Sequence, residues 1–368
     1  MQIKKLKLKN FRNYNSINIE FRNAFNIIYG NNAQGKTNII ESIFLCASGR
    51  SHRTSKDNDL LKNGTASFDI KLLLEKEGVQ EEIQITYNNE ERKKIRINEI
   101  PVKKIGDLMG HLNAVIFSPE ELLIIKQGPA ERRRFADITL SQIRPSYFYD
   151  LQQYAKILYQ RNTLLKSITS KRELENTLDV WDKHLVKTGL RIMKARSDFV
   201  TKLDEFAKKR HSQLTNNEEN LKLKYSPSFD FRDGSDDVEN IFFKILEKNR
   251  GREIQKGITI FGPHRDDIEI VLNGESTKTY GSQGQQRTSV LSMKLAEIDL
   301  MKDESGDYPV LLLDDVLSEL DDRRKEYLLE SIDSVQTFIT CTERRFFHMN
   351  EKDTAFYCVE GGNIVNNK

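Results

Sequence analysis

One eight-residue segment between a strand and a helix restricts the fold more than any other feature of the chain. Residues 25–29 form an apolar run typical of a buried strand, and residues 30–37 continue as Gly-Asn-Asn-Ala-Gln-Gly-Lys-Thr. Glycines at positions 30 and 35 allow the backbone to fold so that successive N–H groups point at one anion. A helix predicted to begin near Lys36 adds the positive end of its dipole. The pattern GxxxxGK[ST] in this context predicts a phosphate-binding loop in an α/β domain.

Two side chains of the loop have expected contacts with a bound nucleoside triphosphate and its metal ion. Lys36 is expected at the β- and γ-phosphates, and Thr37 is expected to ligate Mg²⁺. The loop therefore predicts ATP and Mg²⁺ as cofactors. The predicted ATP-binding residues of the loop are Gly30, Asn31, Asn32, Ala33, Gln34, Gly35, Lys36 and Thr37.

A second apolar strand ends in two adjacent acids, within residues 310–315. Asp314 is expected to complete the Mg²⁺ site with Thr37, and Asp315 to orient or deprotonate the attacking water. Lys36 and Asp315 are thus the candidate catalytic residues. The alternative is that the two acids only repel each other at a solvated strand end.

Hydrophobic periodicity divides the rest of the chain. Apolar residues alternate with polar ones in several runs of the first hundred residues, which predicts strands, whereas a helical period dominates from residue 118 to about 209. Residues 212–236 are predicted to be a loop or linker, and strands resume near residue 257. We therefore expect an α/β domain, with a mixed sheet and an antiparallel part, formed by residues 1–117 and 255–368. Residues 118–254 are expected to form an inserted helical lobe, a short arm that offers a surface to DNA, a partner or a second subunit.

The charge of the chain is nearly balanced overall but uneven along its length. A net charge of +3 excludes binding to nucleic acid by bulk charge alone. A basic stripe recurs every three or four residues on one predicted helix face and is a candidate for contact with DNA phosphates; a solvated helix face is the alternative. Its residues are Lys183, Lys187, Arg191 and Lys194.

Apolar runs and cysteines indicate the compartment. No run approaches the roughly 20 apolar residues that span a bilayer, so no membrane partner is expected. The three cysteines form no CxxC pair, and the start of the chain lacks the apolar core of a secretory signal. A cytoplasmic protein in a reducing environment is therefore expected.

Two further segments carry a resemblance to ABC-type ATPases. Residues 280–287, Tyr-Gly-Ser-Gln-Gly-Gln-Gln-Arg, open a predicted helix and resemble the signature loop of that superfamily; a helix N-terminal turn is the alternative. Residues 318–321, Ser-Glu-Leu-Asp, are similar to its D-loop. The resemblance implies an ABC-type head whose signature loop contacts the γ-phosphate held by the opposite subunit. The residues implied are Ser282, Gln283, Gly284 and Gln285 for the signature and Ser318 and Asp321 for the D-loop.

Short motifs spread over nearly the whole chain resemble the RecF family. They are residues 8–14 (LKNFRNY), 49–53 (GRSHR), 117–120 (FSPE), 132–134 (RRR), 262–267 (GPHRDD) and 313–321 (LDDVLSELD). The resemblance implies an SMC-like bacterial ATPase of DNA repair that binds ATP and DNA and forms an ATP-dependent homodimer. It also implies RecR as a partner, with RecO and RecA downstream, in RecA loading at single-strand gaps, replication restart and the SOS response. Arg12 is implied near the γ-phosphate.

Departures from the ABC pattern affect the expected chemistry. Most ABC ATPases have glutamate where this chain has Asp315, which is one methylene shorter. The usual switch histidine is replaced by residues 340–342, Thr-Cys-Thr, and Ser118 stands near the place of the usual glutamine. We therefore expect a weak, DNA-stimulated ATPase that serves as a switch. A transporter-type energy subunit and a P-loop kinase are the alternative functions.

Overall fold

The computed structural model describes residues 1–168, 177–231, 237–342 and 354–365. These residues form two compact units. Unit 1 contains residues 1–122 and 291–368, and unit 2 contains residues 123–290.

Strands and helices alternate in both units. The strands are β1 (Gln2–Phe11), β2 (Tyr14–Glu20), β3 (Phe25–Tyr29), β4 (Ser67–Lys76), β5 (Val79–Asn88), β6 (Arg92–Ile97), β7 (Ile100–Pro101), β8 (Ala114–Phe117), β9 (Leu221–Ser226), β10 (Asp267–Leu272), β11 (Glu275–Ser276), β12 (Val310–Asp314), β13 (Thr337–Cys341), β14 (Thr354–Glu360) and β15 (Asn363–Val365). The α-helices are α1 (Lys36–Ser48), α2 (Leu123–Lys126), α3 (Pro129–Ile143), α4 (Pro145–Ile168), α5 (Leu178–Leu214), α6 (Val238–Lys256), α7 (Thr277–Tyr280), α8 (Gln283–Ser305) and α9 (Asp322–Ser331).

The central sheet of unit 1 positions the predicted phosphate loop. Its strand order is β15-β14-β3-β13-β12-β8, and all of its strands are parallel except the edge strand β15. The loop leaves the carboxyl end of β3, and the acid pair leaves the carboxyl end of β12. Since only β13 lies between these two strands, their ends meet at one edge of the sheet, where open α/β folds bind ligands.

A second, antiparallel sheet of unit 1 has the order β2-β1-β4-β5-β6-β7. Its strands alternate as the sequence predicts, with apolar residues such as Leu6, Leu8, Ile70 and Ile85 fully buried on one face. Polar and charged residues occupy the other face. The mixed α/β class with an antiparallel part is therefore confirmed.

Unit 2 combines long helices with a small antiparallel sheet of order β11-β10-β9. A hairpin turn at residues 273–274 joins β10 to β11. Strand β9 lies where the sequence predicted a loop over 212–236; the last five of those residues fall outside the described part. Leu221, Leu223 and Tyr225 alternate with lysine and are buried, because β9 pairs with β10 over six residues.

This pairing also moves one boundary of the division. The sequence predicted that residues from 255 onward belong with the α/β part, whereas residues 255–290 lie in unit 2. The physical reason is that β10, although it follows the helices in sequence, pairs with β9. In the described residues, none of the helices is both long and apolar enough to cross a bilayer.

His264, in the Gly-Pro-His-Arg-Asp-Asp segment, is held inside unit 2. Its Nδ1 accepts a hydrogen bond from the Tyr154 hydroxyl at 2.7 Å, and its Nε2 donates to the Thr259 carbonyl at 3.1 Å. Burial lowers the pKa of His264 to about 4, and the nearby Arg265 and Arg133 charges act in the same direction. The imidazole is therefore neutral at physiological pH.

Acidification is expected to destabilise unit 2 through His264. A folded-state pKa below the unfolded value means that the stabilisation is fully present above about pH 6.5 and is lost as the pH falls towards 4. The wild type should lose up to about 3 kcal/mol more than His264→Gln over this range. Urea denaturation of both proteins at several pH values measures the difference. Burial also raises the pKa of Asp266, but both proteins contain this residue, so its contribution cancels in the difference between them. An equal pH dependence of the free energy of unfolding in the two proteins would contradict the prediction.

Candidate nucleotide-binding site

The phosphate loop has the backbone conformation that its two glycines permit. Gly30 has φ +144° and Gly35 has φ +117°, values that residues with a side chain rarely adopt. The Lys36 ammonium donates to the carbonyls of Gly30 at 2.7 Å and Asn31 at 2.9 Å. Burial lowers the pKa of Lys36, and the carboxylate of Asp315 opposes this effect. The lysine therefore lies across the loop, where an incoming phosphate would meet it.

The turn between β1 and β2 supports the phosphate loop through hydrogen bonds to its carbonyls. The sequence analysis did not predict this contact. The Asn13 side-chain amide donates to the Gln34 carbonyl at 2.7 Å, and the Tyr14 hydroxyl donates to the Gly35 carbonyl at 3.0 Å. Asn38, in the first turn of α1, donates to Asn13 Oδ1 at 2.8 Å. The family motif at residues 8–14 contains both supporting residues, but no spacing rule links it to a loop twenty residues later.

The predicted Mg²⁺ ligands are close together. The Thr37 hydroxyl donates to Asp314 Oδ1 at 2.9 Å, and the Thr340 hydroxyl donates to the same oxygen at 2.7 Å. Burial raises the pKa of Asp314, and the two hydroxyls counteract it. A hydroxyl and a carboxylate at this position fit Mg²⁺, which takes few protein ligands and completes its shell with phosphate and water oxygens.

Asp315 follows with a strained backbone and an exposed side chain. Its φ is +54°, and its backbone N–H donates to the Thr340 hydroxyl at 2.9 Å. Ser318, in the predicted D-loop, donates to the Asp315 carbonyl at 2.8 Å. Asp321 caps α9 by accepting from the Arg324 backbone N–H at 2.9 Å. Of the two adjacent acids, Asp314 is therefore a buried carboxylate at the predicted metal site, and Asp315 is an exposed carboxylate beside it.

A buried carboxylate beside the loop, Glu41 on α1, was not anticipated from the sequence. Its two oxygens bind the Arg12 guanidinium through Nε at 2.8 Å and Nη2 at 2.6 Å. Ser51 donates to it at 2.5 Å, and Arg53 lies at 3.5 Å. Burial alone raises the pKa of Glu41, but hydrogen bonds from Arg12 and Ser51 outweigh it, so its pKa is lowered. Arg12, predicted near the γ-phosphate, is therefore held by an ionised glutamate.

The predicted signature residues lie in unit 2, at the start of α8. The Ser282 backbone N–H donates to Gln285 Oε1 at 2.9 Å, and the Gln285 backbone N–H donates to the Ser282 hydroxyl at 3.2 Å. This reciprocal pair caps the helix. Ser282 and Gln283 are exposed, and Gly284 and Gln285 are half-buried. The segment therefore presents a helix N-terminus to solvent, as an anion-contacting loop requires.

The four residues of the basic stripe on α5 are all exposed. They share one face, as their spacing predicted. The charge of Arg191 is paired with that of Asp150, because Nη2 and Nε of the guanidinium donate to Asp150 Oδ1 at 2.6 Å and 2.9 Å. The stripe therefore offers three lysines and one arginine whose charge is already paired.

Comparison with known proteins decides the family. The model described as RecF/RecN/SMC N terminal domain matches residues 2–364. A relative from Acetivibrio thermocellus named DNA replication and repair protein RecF is 55% identical over 365 residues, covering 98% of this chain and 99% of the relative. The chain belongs to the RecF family. This assignment sets aside the transporter subunit and the P-loop kinase and identifies a recombination mediator of DNA replication and repair.

Solved structures agree with the RecF assignment. A structure described as the recombination mediator protein RecF-ATP in the RecFOR pathway has a TM-score of 0.92 and 36% identity, covering 99% of this chain and 97% of that one. An Smc head bound to the C-winged helix domain of ScpA has a TM-score of 0.56 at 16% identity over 99% of this chain and 97% of that one. The second likeness concerns the fold alone. This RecF family member therefore has the ABC-type ATPase head fold with a helical insertion.

Proposed function

We propose that this chain is an ATP-gated, DNA-binding recombination mediator that dimerises around Mg-ATP. The observation that carries the proposal is the meeting of Lys36, Thr37 and Asp314 at one sheet edge, with the Thr37 hydroxyl 2.9 Å from the Asp314 carboxylate. We assign the triphosphate to the backbone of loop residues 30–37 and to Lys36. Thr37 and Asp314 would hold Mg²⁺, which neutralises phosphate charge when bound.

The second half of the proposal concerns the opposite subunit. Ser282 and Gly284, with Gln283 and Gln285, would cover the γ-phosphate held by the partner's loop, and Ser318 and Asp321 would line the same interface. A single chain carries both half-sites, so a symmetric dimer would form two complete ones. The nucleotide would then act as part of the interface, and its hydrolysis would release the subunits.

Hydrolysis is proposed to be slow. Asp315 would orient the attacking water, but its side chain is shorter than the glutamate of most ABC ATPases. Its neighbour Thr340 binds the carboxylate of Asp314 and the N–H of Asp315 and has no group that takes up a proton at neutral pH. A switch with low turnover, stimulated by DNA, fits these residues better than a rapid enzyme.

We propose DNA, single-stranded, duplex or gapped, as the macromolecular ligand, with Lys183, Lys187, Arg191 and Lys194 as contacts on α5. Since ATP and DNA would both favour the dimer, each should strengthen the binding of the other by linkage. RecR is the proposed direct partner, with RecO and RecA acting downstream, in the cytoplasm and without a membrane partner.

Sedimentation velocity with Mg-ATP tests the dimer. The wild type at micromolar concentration should shift from monomer to dimer, Lys36→Ala should lose both ATP binding and the shift, and Ser282→Arg should keep ATP binding and lose the shift. Thr201→Arg, which adds the same charge on an exposed position of α5, serves as the control and should dimerise normally. A wild type that stays monomeric with Mg-ATP, with or without DNA, would exclude the proposal.

A further inference from the structure

The antiparallel sheet of unit 1 has a charged outer face that the sequence analysis did not single out. The register places side chains of β1, β4, β5 and β6 in rows that cross the sheet. Two neighbouring rows contain five cations and one carboxylate. They are Lys7, Lys71, Gln84 and Arg96 in the first row and Lys9, Asp69, Thr86 and Lys94 in the second.

Part of this positive charge is uncompensated. Lys71 pairs with Glu82 at 3.4 Å and Lys94 with Glu91 at 2.7 Å. Within the described residues, Lys7, Lys9 and Arg96 have no acidic partner within 4.0 Å. All three are exposed. The face thus presents three free cations, and two further ones are bound only to half-exposed or exposed glutamates.

Protection of a sheet edge does not explain these cations. Lysines commonly blunt edge strands against pairing with other chains. The edges of this sheet are β2 and β7, whereas Lys7 and Lys9 lie on β1 and Arg96 on β6. Lys7, Lys9 and Arg96 lie at positions that are paired on interior strands, so edge protection does not account for them.

The spacing of the cations suits a duplex. Strands lie about 4.8 Å apart, so Lys7 on β1 and Arg96 on β6 are separated by roughly 14 Å. The phosphate backbones of B-DNA border a major groove about 12 Å wide. Along the second row lies a shallow cavity of about 260 Å³, whose lining includes Lys9, Thr86 and Lys94 together with the carboxylates Asp69 and Glu91. Hydroxyl and ammonium groups of such a cavity are the usual donors to phosphate oxygens.

We propose that this outer sheet face binds the phosphate backbones of duplex DNA, with Lys7, Lys9 and Arg96 as its main contacts. The inference rests on the proposed DNA-binding function and adds a second surface to the α5 stripe. Binding there is independent of base sequence, because the face offers cations and hydroxyls to the backbone and no recognition helix.

Fluorescence anisotropy with a labelled duplex at several salt concentrations tests the proposal. The triple variant Lys7→Gln/Lys9→Gln/Arg96→Gln should lose at least tenfold in affinity at about 50 mM salt, and its slope of log K against log salt should fall by roughly 3. Its ATP affinity should be unchanged. The matched control is Lys244→Gln/Lys248→Gln/Lys256→Gln on α6, which removes the same charge and should bind DNA as the wild type does. Lys183→Gln/Lys187→Gln/Lys194→Gln tests the stripe in parallel.

The outcomes separate the two proposals. A sheet variant with wild-type affinity and slope, while the α5 variant is impaired, would overturn the sheet surface and leave the proposed function intact. Equal losses in the sheet and α6 variants would indicate bulk charge and would also overturn it. A wild type that does not bind duplex DNA would overturn both. Neither the wild type nor the sheet variant should bind anionic phosphatidylserine vesicles. Vesicle binding by the wild type that the sheet variant loses, with duplex binding retained, would point to a membrane and overturn the DNA surface.

Discussion

Gly35→Ala is expected to abolish measurable ATP binding, with a loss of affinity above about 100-fold. An added Cβ would lie 2.6 Å from both side-chain atoms Nδ2 and Oδ1 of Asn13 and 2.9 Å from the Tyr14 hydroxyl. Carbon does not approach so closely, and a φ of +117° is strained for alanine, which costs of order 1–3 kcal/mol. The loop must therefore move away from the turn that supports it, and its backbone N–H groups then no longer point at one anion.

Isothermal titration with ATP measures this loss, and thermal unfolding monitors the fold. Gly128→Ala is the matched control, because no atom lies within 4 Å of its added Cβ and its φ is −86°. Gly35→Ala/Asn13→Ala removes one of the two clashes and should unfold at a higher temperature than Gly35→Ala without regaining ATP binding. ATP affinity within threefold of the wild type in Gly35→Ala would disprove the argument.

The parts of the site that are predictable from the sequence are those fixed by local spacing. The glycines at 30 and 35 and the adjacent Lys36 and Thr37 lie within eight residues, so one pattern specifies the loop. Asp314 was singled out because an apolar strand that ends in an acid, in a chain that also has a phosphate loop, predicts a metal ligand. The groups that support these residues were not found. Asn13, Tyr14 and Thr340 come from distant parts of the chain, and only the strand order brings them together.

The errors in the fold have the same origin. Strand β9 alternates leucine with lysine, but its surroundings of asparagine, serine and proline are typical of a loop. These residues form a strand because they pair with β10, whose residues come 41 to 51 positions later in the sequence. The domain boundary shifted for that reason too. Local propensity is a weak guide wherever the partner strand is distant in sequence.

Glu41 allows two opposite predictions about nucleotide affinity. If its charge acts only at long range, a carboxylate near the loop repels the phosphates, and Glu41→Gln should bind ATP more tightly. If it acts by holding Arg12 and Arg53 in place, the same change should weaken binding. The structure favours the second, because Arg12 gives two of its N–H groups to Glu41 and a third, at 2.7 Å, to the Asp59 carbonyl. The guanidinium is fixed at three points and keeps its remaining N–H groups for an anion.

Glu41→Gln is therefore expected to weaken ATP binding about tenfold, because a side-chain amide cannot accept from both guanidinium nitrogens. ADP binding should fall less, since the family resemblance implies that Arg12 lies near the γ-phosphate, so the ratio of ATP to ADP affinity should drop. A purely structural loss, of about 2 kcal/mol in stability, would lower both affinities equally. Glu297→Gln, at a buried glutamate that pairs with Lys294 at 2.5 Å, provides the control for that loss. Tighter ATP binding by Glu41→Gln, or an unchanged ratio, would show that Glu41 does not position the arginines for the triphosphate.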